Sequence, residues 1–326
     1  MTRQILPASP SDATEAPVAP DVPEGPEVPE ESFFSGDGVQ TEIVAGHGFR
    51  TRFVADGFSE RLSVLDYEGS IKPLVSYLLD AARARGLGKL FLKTRKDEWE
   101  AFISSGFVLE GIIKGFFRGE DAYAMARFLS TERRYSPQLE KENQIIEDLL
   151  FNPDRREARE RAGRFRTETR NEDVELATPE DAEALARLYE SVFDTYPTPL
   201  NRPEYVAASM HDGAIFNVVR CDGRIVSAAS AAPDRDNANA EMTDCATLKE
   251  YRGRGMMRAL LRSLEESLMH RSVGCLYSMA RSTSYGMNLV FHSLGYHYQG
   301  RLINHCHIMG QFEDMNLWVK VPTPTR

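Results

Sequence analysis

The chain has 326 residues, of which 42% are hydrophobic, 27% charged and 10% aromatic; that is apolar material for about two domains, and it excludes a collagen, a coiled-coil rod and a wholly disordered chain. The net charge of −10 is uneven, because residues 1–37 carry eight acids against Arg3, a net −7, and leave −3 for residues 38–326. A nearly neutral folded part lacks the basic footprint of a nucleic-acid binder, and no apolar run reaches the ~18 residues of a membrane span, so neither partner is expected.

Residues 1–37 hold seven of the seventeen prolines at near three-residue spacing. Such a segment cannot sustain a core and reads as a disordered, acid-rich tail. Residues 38–130 read as a small α/β domain. TRFVADG and RLSVLDY are expected strands around an Asp56-Gly57 turn. A helix with apolar residues at 74, 75, 78, 79 and 82 runs to Arg85, with Gly86 past its end. Lys89–Lys93, Phe107–Phe117 and Tyr123–Leu129 are further strands, and Trp99–Ser104 a helix. Residues 131–172 carry ten acids and ten bases and read as a charged, largely helical connector.

Residues 173–326 form the clearest domain. Asp173–Ala177 is a strand, and Thr178-Pro179-Glu180-Asp181 opens a helix that runs to about Phe193. Phe216–Arg220 and Arg224–Ala232 form a hairpin across Asp222-Gly223. Ala240–Leu248 is a strand, followed by a glycine turn and a helix over 254–270. Gly274–Ala280 is a strand, Tyr285–Leu294 a helix, and two strands end the chain. The first residues, MTRQILPASP, lack the apolar core of a signal peptide. Cys221, Cys245, Cys275 and Cys306 form no CxxC pair, so reduced thiols in a cytoplasmic protein are expected.

The segment that carries chemistry is Ala240-Glu-Met-Thr-Asp-Cys-Ala-Thr-Leu-Lys-Glu-Tyr-Arg-Gly-Arg-Gly-Met256. A strand ends at Leu248, and Arg252, Gly253, Arg254, Gly255 and Met256 open an amphipathic helix. Glycines allow close backbone approach, and free N–H groups with a positive helix end suit a pyrophosphate.

This segment resembles motif A of the GNAT acetyltransferases, Arg/Gln-x-x-Gly-x-Gly/Ala, with Met257 as a departure at the last position. Phe291-His-Ser-Leu-Gly295-Tyr296 resembles the family's motif B, Tyr-x-x-x-Gly-Phe. The resemblance covers about residues 173–305. It implies an α/β (α+β) GNAT fold, a mixed central sheet flanked by helices, with acetyl-CoA as donor. TDCATL, EYRGRG and YPTPL look like the β-lysine N-acetyltransferases, which acetylate the ε-amine of β-lysine to make a neutral compatible solute used in osmoadaptation. Within the chain, Phe102-Ile-Ser-Ser-Gly106-Phe107-Val-Leu-Glu-Gly111 parallels Phe291-His-Ser-Leu-Gly295-Tyr296-His-Tyr-Gln-Gly300. The first copy has no RGxG loop, so the N-terminal domain is read as a degenerate GNAT-like repeat.

A lysine-like ammonium is only roughly 0.04% free base at pH 7, so transfer needs a base. Glu241 sits where several GNAT enzymes carry theirs. Strand alternation puts Glu241 and Asp244 on opposite faces, so one of them, Glu241 by preference, faces the substrate. The thioester carbonyl would meet a backbone N–H near Leu248. The tyrosine that often protonates the leaving thiolate is Phe291 here; Tyr285 and His292 are nearby substitutes. Asn288 is a candidate for the pantetheine arm. Asp194, Tyr196 and Arg202, in or beside the YPTPL loop, are candidates for the acceptor's carboxylate and second amine. His305 and His307 are too few to hold a metal, and none is expected. The alternatives are another small amine, a polyamine or a protein amine as acceptor, or a non-catalytic acyl-CoA-binding module. A homodimer paired through C-terminal strands is expected from the fold.

Overall fold

The computed structural model describes residues 34–35, 39–154, 173–269, 271 and 273–322. The tail lies outside these residues, except that Phe34–Ser35 is a short strand rather than tail. The part of the connector over 155–172 lies outside them too.

The N-terminal half contains β1 (Phe34–Ser35), β2 (Val39–Gly46), β3 (Phe49–Asp56), β4 (Arg61–Gly69), α1 (Ile71–Ala84), β5 (Lys89–Thr94), α2 (Trp99–Ser104), β6 (Val108–Phe117) and β7 (Glu120–Phe128). Helix α3 (Leu139–Phe151) follows. The C-terminal half contains β8 (Val174–Leu176), α4 (Ala182–Val192), α5 (Pro203–His211), β9 (Ile215–Cys221), β10 (Arg224–Asp234), β11 (Asn239–Thr247), α6 (Met256–Met269), β12 (Cys275–Arg281), α7 (Tyr285–Ser293), β13 (His297–Ile308) and β14 (Gln311–Lys320).

The fourteen strands of the described residues form one sheet, in the order β1-β2-β3-β4-β5-β7-β6-β13-β14-β12-β11-β10-β9-β8. Counted from its own outer edge, each half has the same order. Each also has one parallel pair at the same place, β4 with β5 and β11 with β12. The halves meet at Gly111↔Gly300 in an antiparallel contact of β6 with β13. These are the last glycines of the two parallel ten-residue segments. A Cβ on Gly300, at φ +147, would lie 2.2 Å from the Glu110 carbonyl and 2.6 Å from Gly111 Cα. Only two glycines let these backbones touch. β6 of the same chain meets this edge of β13 at that one described rung.

The helices form because their apolar residues recur on one face. In α1, Leu74, Val75, Leu78 and Ala82 pack with Phe53, Leu62 and Leu90. In α6, Leu260, Leu261, Leu264 and Leu268 are 0–1% exposed; each such side chain contributes about 2 kcal/mol by burial. The first helix of the C-terminal half begins with a single 3-10 turn, Pro179–Asp181, in a capping box. Asp181 Oδ2 accepts from the Thr178 N–H at 3.0 Å. Two elements carry little sequence signal. In β2 the described side chains are half-buried or exposed, and in α5 only Val206 is buried.

Candidate active site

β11 pairs with β12 only over Asn239–Glu241 against Cys275–Tyr277. Beyond Tyr277 the two strands diverge. A bulge then interrupts β11 against β10: Ser230 faces Thr243 and Ala228 faces Ala246, so Asp244 and Cys245 both oppose Ala229. Asp244 has φ +52, a conformation aspartate tolerates at such sites. This corrects the alternation expected across 240–248, which assumed an unbroken pleat.

A cavity of about 430 Å³ opens at this divergence. Thr243, Asp244, Cys245 and Thr247 of β11 line it, as do Ser278, Met279 and Ala280 of β12. Its apolar wall includes Met256, Met257, Leu289, Val290 and Phe291. One end is the loop Arg252–Gly255. Gly253 and Gly255 have φ +76 and +79. Gly253's missing Cβ points into open space, so the glycine answers a backbone need rather than a packing one. Arg252 Nε donates to the Thr247 carbonyl at 3.0 Å, and Arg254 donates to Glu250 O at 3.1 Å while lying over the Tyr251 ring. α6 has no acid in its first turn, so nothing there competes with an anion for the free N–H groups. An open glycine at 253, a helix start without an acid in its first turn and an apolar groove leading away from it suit the pyrophosphate and pantetheine arm of CoA.

Asp244 lines the cavity. Its Oδ2 accepts from Ser230 Oγ at 2.6 Å and its Oδ1 from Tyr196 OH at 3.3 Å; the Tyr189 OH donates to its carbonyl at 2.9 Å. Burial raises its carboxyl above the usual range, while the bonds from Ser230 and Tyr196 pull it back. Glu241 does not line the cavity but sits at the last rung before the divergence. It accepts from Tyr277 OH at 3.2 Å. Burial raises its carboxyl, the Lys93 ammonium lowers it, and the Asp244 charge raises it again. The Asp244 charge therefore reaches Glu241, although Glu241 does not line the cavity and Asp244 does.

Several expected positions need correction. Asn288 is fully buried, and all its amide capacity is spent inside the fold. Its Oδ1 accepts from Asn316 Nδ2 and Trp318 Nε1, and its Nδ2 donates to the carbonyls of Arg281 and Ser284. It has nothing left for a pantetheine arm. The Leu248 N–H donates to Val226 O at 3.0 Å, so it is not available to a thioester carbonyl. Tyr285 packs on the main core and does not line the cavity. The His292 ring faces Trp318. Of the three acceptor candidates, Tyr196 reaches the cavity, whereas Asp194 and Arg202 are exposed and do not line it. His305 is buried edge-on against Phe91. Burial and the charges of Arg61, Lys89, Lys93 and Arg133 hold its pKa well below the usual value. Among the described residues no three or more His, Cys, Asp or Glu side chains converge as a metal site.

The sequence reading missed Ser230, Tyr277 and Lys93. Ser230 and Tyr277 carried no local motif, and Lys93 lies far away in the chain, in the other half.

Residues 182–296 match the family model described as Acetyltransferase (GNAT) family. The chain is 35% identical over 273 residues to a protein named beta-lysine N(6)-acetyltransferase from Methanosarcina mazei, covering 79% of this chain and 100% of that one. It is 33% identical over 270 residues to the N-acetyltransferase YodP of Bacillus subtilis, covering 81% and 94%. It is 30% identical over 269 residues to a beta-lysine N(6)-acetyltransferase from Methanococcus maripaludis, covering 81% and 93%.

Proposed function

This chain belongs to the GNAT acetyltransferase family and is an N-acetyltransferase that uses acetyl-CoA to acetylate an amine, and from that premise we propose that its acceptor is the ε-amine of β-lysine. The observation that carries the reading is that two relatives of that name match over 100% and 93% of their own length, so the likeness includes the N-terminal half as well as the GNAT motifs. The product would be a small zwitterion without net charge, suited to a compatible solute made in the cytoplasm for osmoadaptation. Among the described residues no helix is long and apolar enough to cross a membrane.

Acetyl-CoA, when bound, supplies the activated thioester. The loop Arg252–Met256 and the first N–H groups of α6 hold its pyrophosphate, and the side chains of Met256, Met257 and Phe291 shelter the arm from water. Glu241, beside the cavity and not in it, accepts the proton from the acceptor's ammonium through an intervening water, which lets the amine lone pair attack. Its carboxyl is suited to this because burial raises its proton affinity toward the working pH. Asp244, tied by Ser230 and Tyr196, presents negative charge to the cavity and favours a cationic acceptor there. With phenylalanine at 291, the leaving thiolate has no tyrosine at that position; a thiol of pKa near 8.5 leaves without one.

The test is competition between β-lysine, α-lysine and spermidine, read as thiol release from acetyl-CoA and as acetylated product by mass. The expected order puts β-lysine first by kcat/KM. A preference for spermidine or α-lysine removes the β-lysine reading and leaves the acetyltransferase.

A further inference from the structure

Among the described residues of the N-terminal half, Lys93 is a cation without an ion pair that lies beside Tyr277, the partner of Glu241. Lys89 and Lys93 both project from β5 on the face opposite α1. Lys89 is fully satisfied: its Nζ lies 2.8 Å from Glu110 Oε2 and donates to the Ile303 carbonyl at 2.7 Å. Lys93 makes no hydrogen bond and no ion pair among the described residues. Its Nζ lies 4.9 Å from the centroid of Phe116 and 5.8 Å from that of Tyr277. Tyr277 is the residue whose hydroxyl bonds Glu241. Glu241 is also the acid whose charge acts most strongly on Lys93, followed by Asp234. Arg61, whose charge also acts on Glu241, is already engaged with the His305 carbonyl at 2.8 Å, the Cys306 sulfur and Asp56.

A half-buried ammonium over two aromatic faces, with no acceptor among the described residues, is an open cation site. Such a charge favours an anion and repels a second ammonium. The position matters too. Lys93 on β5 aligns with Met279 on β12 when the two halves are matched by strand register, and Met279 lines the cavity. The same place in the repeated fold is thus apolar in the C-terminal half and cationic in the N-terminal half; Lys93 does not itself line the cavity but lies over the ring of Tyr277, whose hydroxyl bonds Glu241.

We propose that Lys93 binds the carboxylate of the acceptor, so that the N-terminal half selects an amino acid over a plain diamine. This rests on the reading that the acceptor is a diamino acid such as β-lysine. With Lys93 holding the carboxylate, the distal ammonium of the same molecule is directed to Glu241. Lys93 is then a substrate-binding residue flanked by two aromatic faces.

The experiment uses the full chain with two matched acceptor pairs. β-Lysine is compared with 1,4-diaminopentane, which is the same molecule without its carboxylate, and α-lysine with 1,5-diaminopentane. Lys93→Met keeps the stem that packs on Phe116 and removes the charge; Lys93→Arg restores a cation. In Lys93→Met the kcat/KM ratio of acid over diamine is expected to fall about 10- to 100-fold in both pairs, the size of one charge-assisted contact. The fall is expected in KM rather than kcat, and Lys93→Arg recovers most of it. The proposal is overturned if acid and diamine suffer equally, or if the variant chiefly shifts the acidic limb of the kcat profile upward for both. Either result would make Lys93 a support for the charge of Glu241. If the wild-type enzyme prefers α-lysine to β-lysine, the β-lysine reading falls, and the α-lysine pair still decides the role of Lys93.

Discussion

The two halves share a strand order and a parallel pair at the same place, yet they differ at the turn after that pair's first strand. In the C-terminal half the turn is Arg252–Gly255, and Gly253 looks into open space. In the N-terminal half β4 runs on to Gly69, two residues before α1, and a Cβ there would lie 2.3 Å from the Gly48 carbonyl. The Ser70 N–H donates to that same carbonyl at 2.8 Å, so the β2–β3 hairpin occupies the place a phosphate would need, and Asp66 and Glu68 would repel one. The gap between the diverging strands is also closed. Tyr67 OH bonds Thr94 Oγ1 at 2.5 Å and Glu98 Oε2 at 2.6 Å, and its ring packs edge-on against Phe102. Phe102 is the counterpart of Phe291, which lines the open cavity. A repeated scaffold can therefore lose a ligand site by being filled, while its sheet and core persist.

The largest expected effect contrasts position 241 with its N-terminal counterpart. By strand register, Glu241 opposite Tyr277 aligns with Ser63 opposite Phe91. Glu241→Gln should lower kcat roughly 10²- to 10⁴-fold near pH 7, with the deficit shrinking toward pH 10, where solvent supplies free amine. Ser63→Ala should leave kcat within about twofold, as a residue off the reacting atoms does. Equal impairment of Glu241→Gln at pH 7 and pH 10 would make Glu241 structural and pass the role to Asp244.

Next is the seam itself. Gly300→Val places side-chain carbons against Glu110 and Gly111 backbone, and should destabilise the protein by roughly 3 kcal/mol or more. Denaturant unfolding of wild type and variant reads this; a change below about 1 kcal/mol would mean the halves separate easily.

The turn comes third. Gly255→Asp adds bulk at φ +79 and a negative charge at the α6 start. Acetyl-CoA affinity by calorimetry should fall about tenfold or more, as expected for an anion site given a like charge. Unchanged affinity in a folded variant would remove the pyrophosphate assignment.

A pH effect sharpens how α3 ties the halves together. Glu142 accepts from Ser136 Oγ at 3.0 Å and lies 3.5 Å from Arg301 of β13. Burial, with the Asp314 charge beside it, pushes its carboxyl up to about 7. In the unfolded chain a glutamate titrates near ~4.3. A raised acid contributes stability that is fully present below the unfolded value and is lost as pH rises through the folded one. Glu142→Gln cannot ionise, so its melting temperature relative to wild type should climb from pH 4 to pH 8. One kcal/mol corresponds to about 2–4 °C in a chain of this class. A constant difference across that range would show that Glu142 does not titrate there.

The smallest effect is Tyr67→Phe, which removes the hydroxyl that spans the closed gap. It should cost about 1 kcal/mol with kcat/KM preserved, and a large loss of activity would show that the N-terminal gap still matters to the reaction.

Much of this fold was legible because its signals are local. The stripe of α6, the Thr178 cap and the Asp222-Gly223 turn are each written within a few residues. The repeated segment ending in Gly111 and Gly300 pointed to two related halves, but not to the contact between those glycines, since strand order is a long-range property. β2 and α5 escaped notice because neither buries enough side chains to impose a period on its sequence. The site was read less well than the fold. The bulge at Asp244 depends on β10 as much as β11, so alternation along one strand misjudged it. Asn288 looked like a ligand-facing amide, and only Asn316 and Trp318, arriving from β14, reveal where its bonds go. Lys93 was invisible as a site residue because its partners come from 23 to about 180 residues away.

The single described rung between β6 and β13 has one more consequence. Two separate chains joined by so short a ladder would depend on their concentration to stay together. Here the halves belong to one polypeptide, and a covalent link makes their meeting intramolecular, with a local concentration on the order of millimolar for a short flexible connection. Lys93 from one half therefore faces Glu241 from the other however dilute the enzyme is, and its specific activity should be independent of protein concentration, as that of a site shared between two chains is not.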